Sequence, residues 1–238
     1  MRIAFYDFDG TLVSSNLVTR YASLIQRMPS RKIALWKTLR LISSVPTYLV
    51  LDRFSRRLFN QAFFQEYRGV RRAWLEQQAE GIFERLIRPA IRPAALELVQ
   101  QDRQEGFRLI LVTGEIGSLL APVARYFGFD SVVCNSLIFR NGIATGEVAA
   151  PLIAGGAKVL AMDAECRNHG SQLSRAKAYS DSFSDVPMLE AVGSPAAVNP
   201  DTRLRKLATA RGWPVLDLGG SGRRTPGAAA RGNHVHVS

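Results

Sequence analysis

Two runs of this 238-residue chain, IAFYDF from residue 3 and FRLILVTG over 107–114, are apolar at consecutive positions instead of alternate ones. A strand that is apolar on both faces is buried on both, the habit of parallel sheets covered by helices. RAKAYSDS, AAVN and WPVLDL read as further strands, and stretches of helical periodicity lie between them. The expected class is therefore α/β, a mostly parallel sheet with helices on both faces. Hydrophobic residues make up 47% of the chain, ample for a sizeable core.

The alternation has one interruption. From Leu17 to Arg88 the apolar residues recur at helical spacing, with a break expected at Ser43-Ser-Val-Pro46, and Pro89 and Pro93 bracket the exit. The expected organisation is a core formed by 1–16 and 89–217, a helical insertion over 17–88, and a disordered tail over 218–238 that is poor in bulky apolar residues. Asn141-Gly142 between two short apolar runs predicts a hairpin. His234 and His236, in the tail, and His169 lack a second ligand at useful spacing, and Cys134 and Cys166 are expected to be reduced and mostly buried.

The formal charge is +11, but residues 17–88 carry 14 Lys and Arg against 5 Asp and Glu, so the basic excess belongs to the insertion. This suits an anionic small molecule or an anionic lipid surface. Nucleic-acid binding is not expected, because no recognition-helix, RNP-type or zinc-finger pattern accompanies the charge. The N-terminus lacks the pattern of a secretion signal, so the expected location is the cytoplasm. The stretch 33–51, IALWKTLRLISSVPTYLVL, is interrupted by Lys37, Arg40 and Pro46 and is not expected to cross a bilayer. Its apolar residues are expected to pack the helical bundle; peripheral membrane contact is the alternative.

Ligands of open parallel sheets bind at the carboxyl ends of the strands. Asp7 and Asp9, Thr113 and Asp181 all fall there, with Asp185 four residues on, where Ser184 is expected to cap a short helix and Pro187 to open it. Lys158 lies in GGAK, early in a helix, and could reach the same crevice. Singly, each has a structural reading: a turn for Asp-Gly-Thr, a strand-end Thr, a solvated Lys, an Asp at a helix N-terminus.

As an ordered set they resemble the haloacid dehalogenase superfamily, in the branch (subfamily IB) that includes phosphoserine phosphatase. DFDGTLV matches its first motif, LILVTG the second, GGAK the third and YSDSFSDVPMLEAVG the fourth. The resemblance implies a Rossmann-like core with a helical C1-type cap inserted after the first strand, hinging near residues 14–17 and 88–92. It implies a phosphatase in which Asp7 is the nucleophile, Asp9 the acid and base, and Thr113, Gly114 and Lys158 hold the phosphoryl group. It further implies Mg²⁺ on Asp7, on Asp181 and on the backbone carbonyl of Asp9, with Asp185 ligating through water or from behind. Where phosphoserine phosphatases place a glutamate, nine residues past the nucleophile, this chain has Asn16, a candidate substrate contact together with Arg56 and Arg57 of the cap. Glu115, unusual after the second motif, is expected to point outward along the following helix. A phosphatase of a lipid or other amphiphilic phosphate at the membrane surface is the alternative substrate reading, and a binding protein that keeps the fold without turnover is the alternative from another class.

Overall fold

The structure is a computed structural model and describes residues 1–219. Its centre is a six-stranded, all-parallel sheet formed by β1 (Arg2–Tyr6), β2 (Phe107–Ile116), β3 (Ser131–Asn135), β6 (Lys177–Ser180), β7 (Ser194–Val198) and β8 (Val215–Leu216), in the order β3-β2-β1-β6-β7-β8. The chain thus builds outward from β1 on one side and then crosses to the other. The reversal of strand order beside β1 opens the crevice in which such sheets bind ligands.

The consecutive apolar residues of β1 serve both faces. Ile3 and Phe5 pack with Ile110, Val112, Met162 and Met188 on one side, whereas Ala4 and Tyr6 pack with Leu109, Leu111 and Tyr179 on the other. The helices that cover the sheet are α5 (Pro93–Gln104), α6 (Ala121–Phe127), α7 (Gly156–Asn168), α8 (Val186–Glu190) and α9 (Thr202–Arg211). Between β3 and β6 lies the expected hairpin, β4 (Leu137–Arg140) and β5 (Ile143–Val148). Its turn holds Asn141 and Gly142 at φ 51° and 73°, the left-handed pair that a two-residue hairpin turn needs.

Four helices follow β1: α1 (Leu17–Gln26), α2 (Arg31–Phe54), α3 (Arg56–Phe64) and α4 (Arg72–Ile82), the last running on through a π turn to Ile87. Asn16, Ser30 and Ser55 cap the first three. Tyr21, Phe63, Phe64 and Tyr67 form an aromatic cluster inside the layer. The connections to the core run side by side: Ser14 N–H donates to the Ala90 carbonyl and Arg92 N–H to that of Leu12.

The expected break at Ser43-Ser-Val-Pro46 is absent, and α2 is continuous over 24 residues with Pro46 inside it. Pro46 removes one N–H from the ladder, but it and Ile42, whose carbonyl loses its partner, both lie on the exposed side, where that carbonyl is not trapped in a core. The apolar residues of 33–51 also depart from expectation. Leu41 and Tyr48 are buried with Lys37, while Ile33, Leu35, Trp36, Leu39, Ile42, Leu49 and Val50 are exposed. No described helix is long and apolar enough to cross a membrane. Leu218, placed in the tail by sequence, donates its N–H to Asn199 Oδ1 and packs against the core. The rest of the expected tail from residue 220, with His234 and His236, lies outside the described residues.

Candidate active site

The carboxyl ends of β1, β2 and β6 and the first turn of α7 converge on a cavity of about 130 Å³. β1 delivers Asp7, whose N–H still pairs with the Tyr179 carbonyl and so stays in register with the sheet. The chain then turns: Gly10, at φ 81°, sits so close to Asp181 that a Cβ there would be 1.9 Å from its Oδ2. Glycine is required at this turn on both counts.

Lys158 Nζ donates to Asp7 Oδ1 and to Asp185 Oδ2, each at 2.7 Å, and Ser180 Oγ donates to the same Asp185 oxygen at 2.8 Å. Thr11 Oγ1, 3.3 Å from Asp7 Oδ2 and 3.2 Å from Asp181 Oδ1, can donate to one at a time. Thr113, buried, accepts the Glu115 N–H and lines the cavity beside Gly114. Asp7, Asp9, Thr113, Gly114, Lys158, Asp181 and Asp185 are thus brought together.

Burial pushes the Asp7 carboxyl up to about 6, Lys158 opposing the rise and Asp185 adding to it. Burial likewise raises Asp181 to about 8, with Asp7 and Asp185 pushing the same way. Burial works against the Lys158 ammonium too, but Asp185 and Asp7 outweigh it and hold the cation above its ordinary range. Four carboxylates therefore line the cavity against two cations, Lys158 and Arg56, and Arg56 already pairs with Asp52 at 2.7 Å. A divalent cation would supply the missing positive charge.

Asp9 faces the cavity from a buried cluster that sequence reasoning missed. Arg20 Nη2 donates to both Asp9 oxygens at 2.6 and 2.7 Å, Arg20 Nε donates to Glu115 Oε2 at 2.5 Å, and Arg20 Nη1 donates to Ser15. Burial alone would weaken the Arg20 cation; Asp9 and Glu115 together raise its pKa. Glu115 does not point outward along a helix. It lies inside β2, which runs two residues past Gly114, and its second oxygen accepts the Ile116 N–H at 2.8 Å. The signal lay in an acid immediately after an apolar strand, which needs a buried cation from elsewhere in the chain.

Asn16 lines an apolar cleft beside the cavity, between α1, α2 and α3. Its side chain accepts the Thr19 N–H and Thr19 Oγ1 closes a capping box, so Asn16 is occupied at the start of α1 and lies outside the carboxylate cavity. Arg56 lines the cavity, whereas Arg57 is exposed and lines a neighbouring surface groove. Ser184 does not cap α8; Ser182 accepts its N–H and caps the preceding turn, and Asp185 stands at the N-terminus of α8. The helical layer supplies an unexpected residue, Asn60 of α3. It is 1% exposed, lines the cavity, and its Nδ2 has no hydrogen-bond partner among the described residues. A Cβ on residue 114 would come within 2.8 Å of that nitrogen, so Gly114 leaves room for it.

No group of three or more His, Cys, Asp or Glu side chains among the described residues is arranged to hold a metal. The carboxylate of Asp9 is held by Arg20 and that of Asp185 by Lys158 and Ser180. Asp7 and Asp181 remain for a cation, and two carboxylates with a backbone carbonyl, substrate oxygen and water are a set that suits Mg²⁺. Cys134 and Cys166 are free and form no such set.

The family profile of haloacid dehalogenase-like hydrolases matches residues 4–190, spanning every one of these side chains. The chain belongs to this family. Among curated haloacid dehalogenase-like relatives, it is 36% identical over 155 residues to a phosphoserine phosphatase of Mycobacterium tuberculosis, covering 65% of this chain and 50% of that one. It is 30% identical over 221 residues to a probable phosphatase of the same organism, covering 90% and 75% of the two chains. A solved protein of unknown function from Bordetella pertussis superposes with a TM-score of 0.79 at 26% identity, covering 91% of this chain and 98% of that one. The chain spans about half the length of several curated relatives it matches.

Proposed function

We propose that this haloacid dehalogenase-like hydrolase is a Mg²⁺-dependent phosphomonoesterase that works through an aspartyl-phosphate on Asp7. The reading rests above all on Asp7: a buried carboxylate at a strand end, with Lys158 Nζ 2.7 Å from one oxygen and Thr11 Oγ1 within reach of both the other and Asp181. The phosphatase named among the relatives that the chain matches over most of its length supports the reaction class.

In this reading an Asp7 oxygen forms a bond to phosphorus as the ester P–O bond breaks. Asp9 gives the leaving alkoxide its proton, then takes one from the water that cleaves the acyl phosphate. Lys158, Thr113 and the Gly114 backbone hold the phosphoryl oxygens as their charge redistributes. Arg20 positions Asp9 by gripping both its oxygens. Asp7, Asp181 and the Asp9 carbonyl would hold Mg²⁺, which supplies the electrostatic neutralisation that lets an anionic nucleophile approach an anionic phosphate.

The helical segment 17–88 acts as the cap over the cavity and contributes Arg56 and Asn60, one charged and one amide donor for substrate. Asn16, neutral and committed to a helix cap, gives no counter-charge to an ammonium, so phosphoserine itself is not the substrate favoured here. The test is a phosphate-release screen over amino-acid, sugar, nucleotide and lipid phosphomonoesters with and without Mg²⁺, alongside Asp7→Asn. Mg²⁺-dependent turnover that Asp7→Asn abolishes is expected; release that persists in that variant would overturn the mechanism.

A further inference from the structure

Helix α2 carries far more apolar surface than the protein buries. Its inner face is the line Lys37, Leu41, Tyr48. On the opposite side Leu35, Leu39, Ile42, Pro46 and Val50 follow one another at helical spacing, all exposed. Trp36, Leu49 and Phe54 flank this stripe, each more than half exposed. A contiguous exposed apolar patch of this kind marks an interaction surface.

The charge beside the stripe says what it meets. Arg31, Lys32 and Arg53 lie on α2 and Arg57 just beyond it, while Arg40 is paired with Glu66 and the acidic residue of α2, Asp52, with Arg56. An apolar stripe about 23 Å long with basic flanks fits the headgroup boundary of an anionic bilayer, the helix lying in the plane. Two copies face to face would oppose these same cations.

The surface also leads to the cavity. An apolar cleft of about 240 Å³ runs between the start of α1, the second half of α2 and α3, walled by Val18, Val45, Tyr48, Leu49 and Phe59. Leu49 and Val45 are exposed at its α2 side, and Leu17 and Arg56 line both this cleft and the carboxylate cavity. A hydrocarbon in the cleft would therefore leave its polar end at Arg56, beside Asp7 and Lys158.

We propose that α2 docks in the interface of an anionic bilayer and that the site takes an amphiphilic phosphomonoester drawn from it, the hydrocarbon part lying in the apolar cleft. The substrate half rests on the phosphatase reading above; the docking half does not.

The test uses the full chain in flotation with phosphatidylcholine vesicles, with and without phosphatidylglycerol, at low and high salt. Beside it runs the double variant Leu35→Glu/Leu39→Glu, whose residues touch neither cleft nor cavity. The wild type is expected to float with the anionic vesicles and to be released by salt. The variant's bound-to-free ratio is expected to fall at least about tenfold. Its hydrolysis of vesicle-borne phosphatidic acid should fall in parallel, while its rate on soluble p-nitrophenyl phosphate stays unchanged and reports intact folding. A wild type that floats with neither vesicle, or a variant that floats as well as the wild type, overturns the docking. A dimer that the substitutions dissociate, without flotation, assigns the face to a second copy and overturns it too. Flotation with phosphatidic acid hydrolysed no faster than the soluble ester overturns the substrate half; flotation with no ester hydrolysed supports the docking and removes the phosphatase reading.

Discussion

Replacing Arg20 by leucine takes away the cation shared by Asp9 and Glu115. The Arg20 and Glu115 side chains are both fully buried, and Asp9 is 15% exposed. Removing one partner of a buried, hydrogen-bonded pair costs about 3–5 kcal/mol, chiefly because the remaining charge is stranded away from water. Glu115 keeps one bond, from the Ile116 N–H, so it is stranded with a partial share of its partners. For a chain of this size about 2–4 °C of melting temperature accompanies each kcal/mol, which gives a drop of about 6–20 °C for Arg20→Leu. Arg20→Leu/Glu115→Leu removes the stranded charge as well and is expected to regain about 2 kcal/mol in urea denaturation. Turnover should stay low in both variants, by about a hundredfold or more, because Asp9 is no longer held at the cavity wall. A double variant no more stable than the single one, or a single variant within about 1 kcal/mol of the wild type, would refute the reasoning.

The raised carboxyls predict a pH dependence with a definite sign. Asp7 and Asp181, near 6 and 8 when folded, keep protons that the unfolded chain releases near pH 4, so stability is fullest below about pH 4 and declines toward pH 8 in their contribution. Mg²⁺ bound at these carboxylates would replace those protons, and it should raise the melting temperature more at about pH 8 than at about pH 5; an equal shift at both would contradict the assignment. Asn60→Ala is expected to raise KM for a phosphomonoester about tenfold with little change in kcat, while its stability stays within about 1 kcal/mol, since its Nδ2 donor has no hydrogen-bond partner among the described residues to lose. An unchanged KM would place Asn60 outside the substrate's reach.

Much of the core was legible because its signals are local. A run such as IAFYDF declares burial on both faces, Asn141-Gly142 declares its turn through the φ values that the pair tolerates, and strand-end aspartates declare a crevice. What the local pattern left unread depends on partners and surroundings that the chain brings together only on folding. Glu115 looked solvent-bound because its partner, Arg20, lies 95 residues away. Asn16, nine residues past Asp7, also caps α1 through a capping box that depends on the Thr19 hydroxyl, three residues on. Pro46 looked like a break because the cost of a proline was judged without knowing that its side of α2 faces outward. Asn60 carried no local signal, since a buried amide inside an aromatic helix is distinguished only by the cavity it lines.

The paired backbone at Leu12–Ser14 and Ala90–Arg92 has a consequence for how such a chain can change. The two connections leave and rejoin the core at neighbouring points, already tied to each other. To the six-stranded sheet, everything between them is one long loop with its ends pinned, and the entropy of closing a loop grows slowly, by about 0.6 kcal/mol for each doubling of length. A helical segment of another size or sequence could be grafted between residues 14 and 90 with little strain on the strands that carry Asp7, Thr113 and Asp181. Such a graft would have to keep a cation where Arg20 stands, because that residue of the exchangeable segment holds Asp9 and Glu115 of the core.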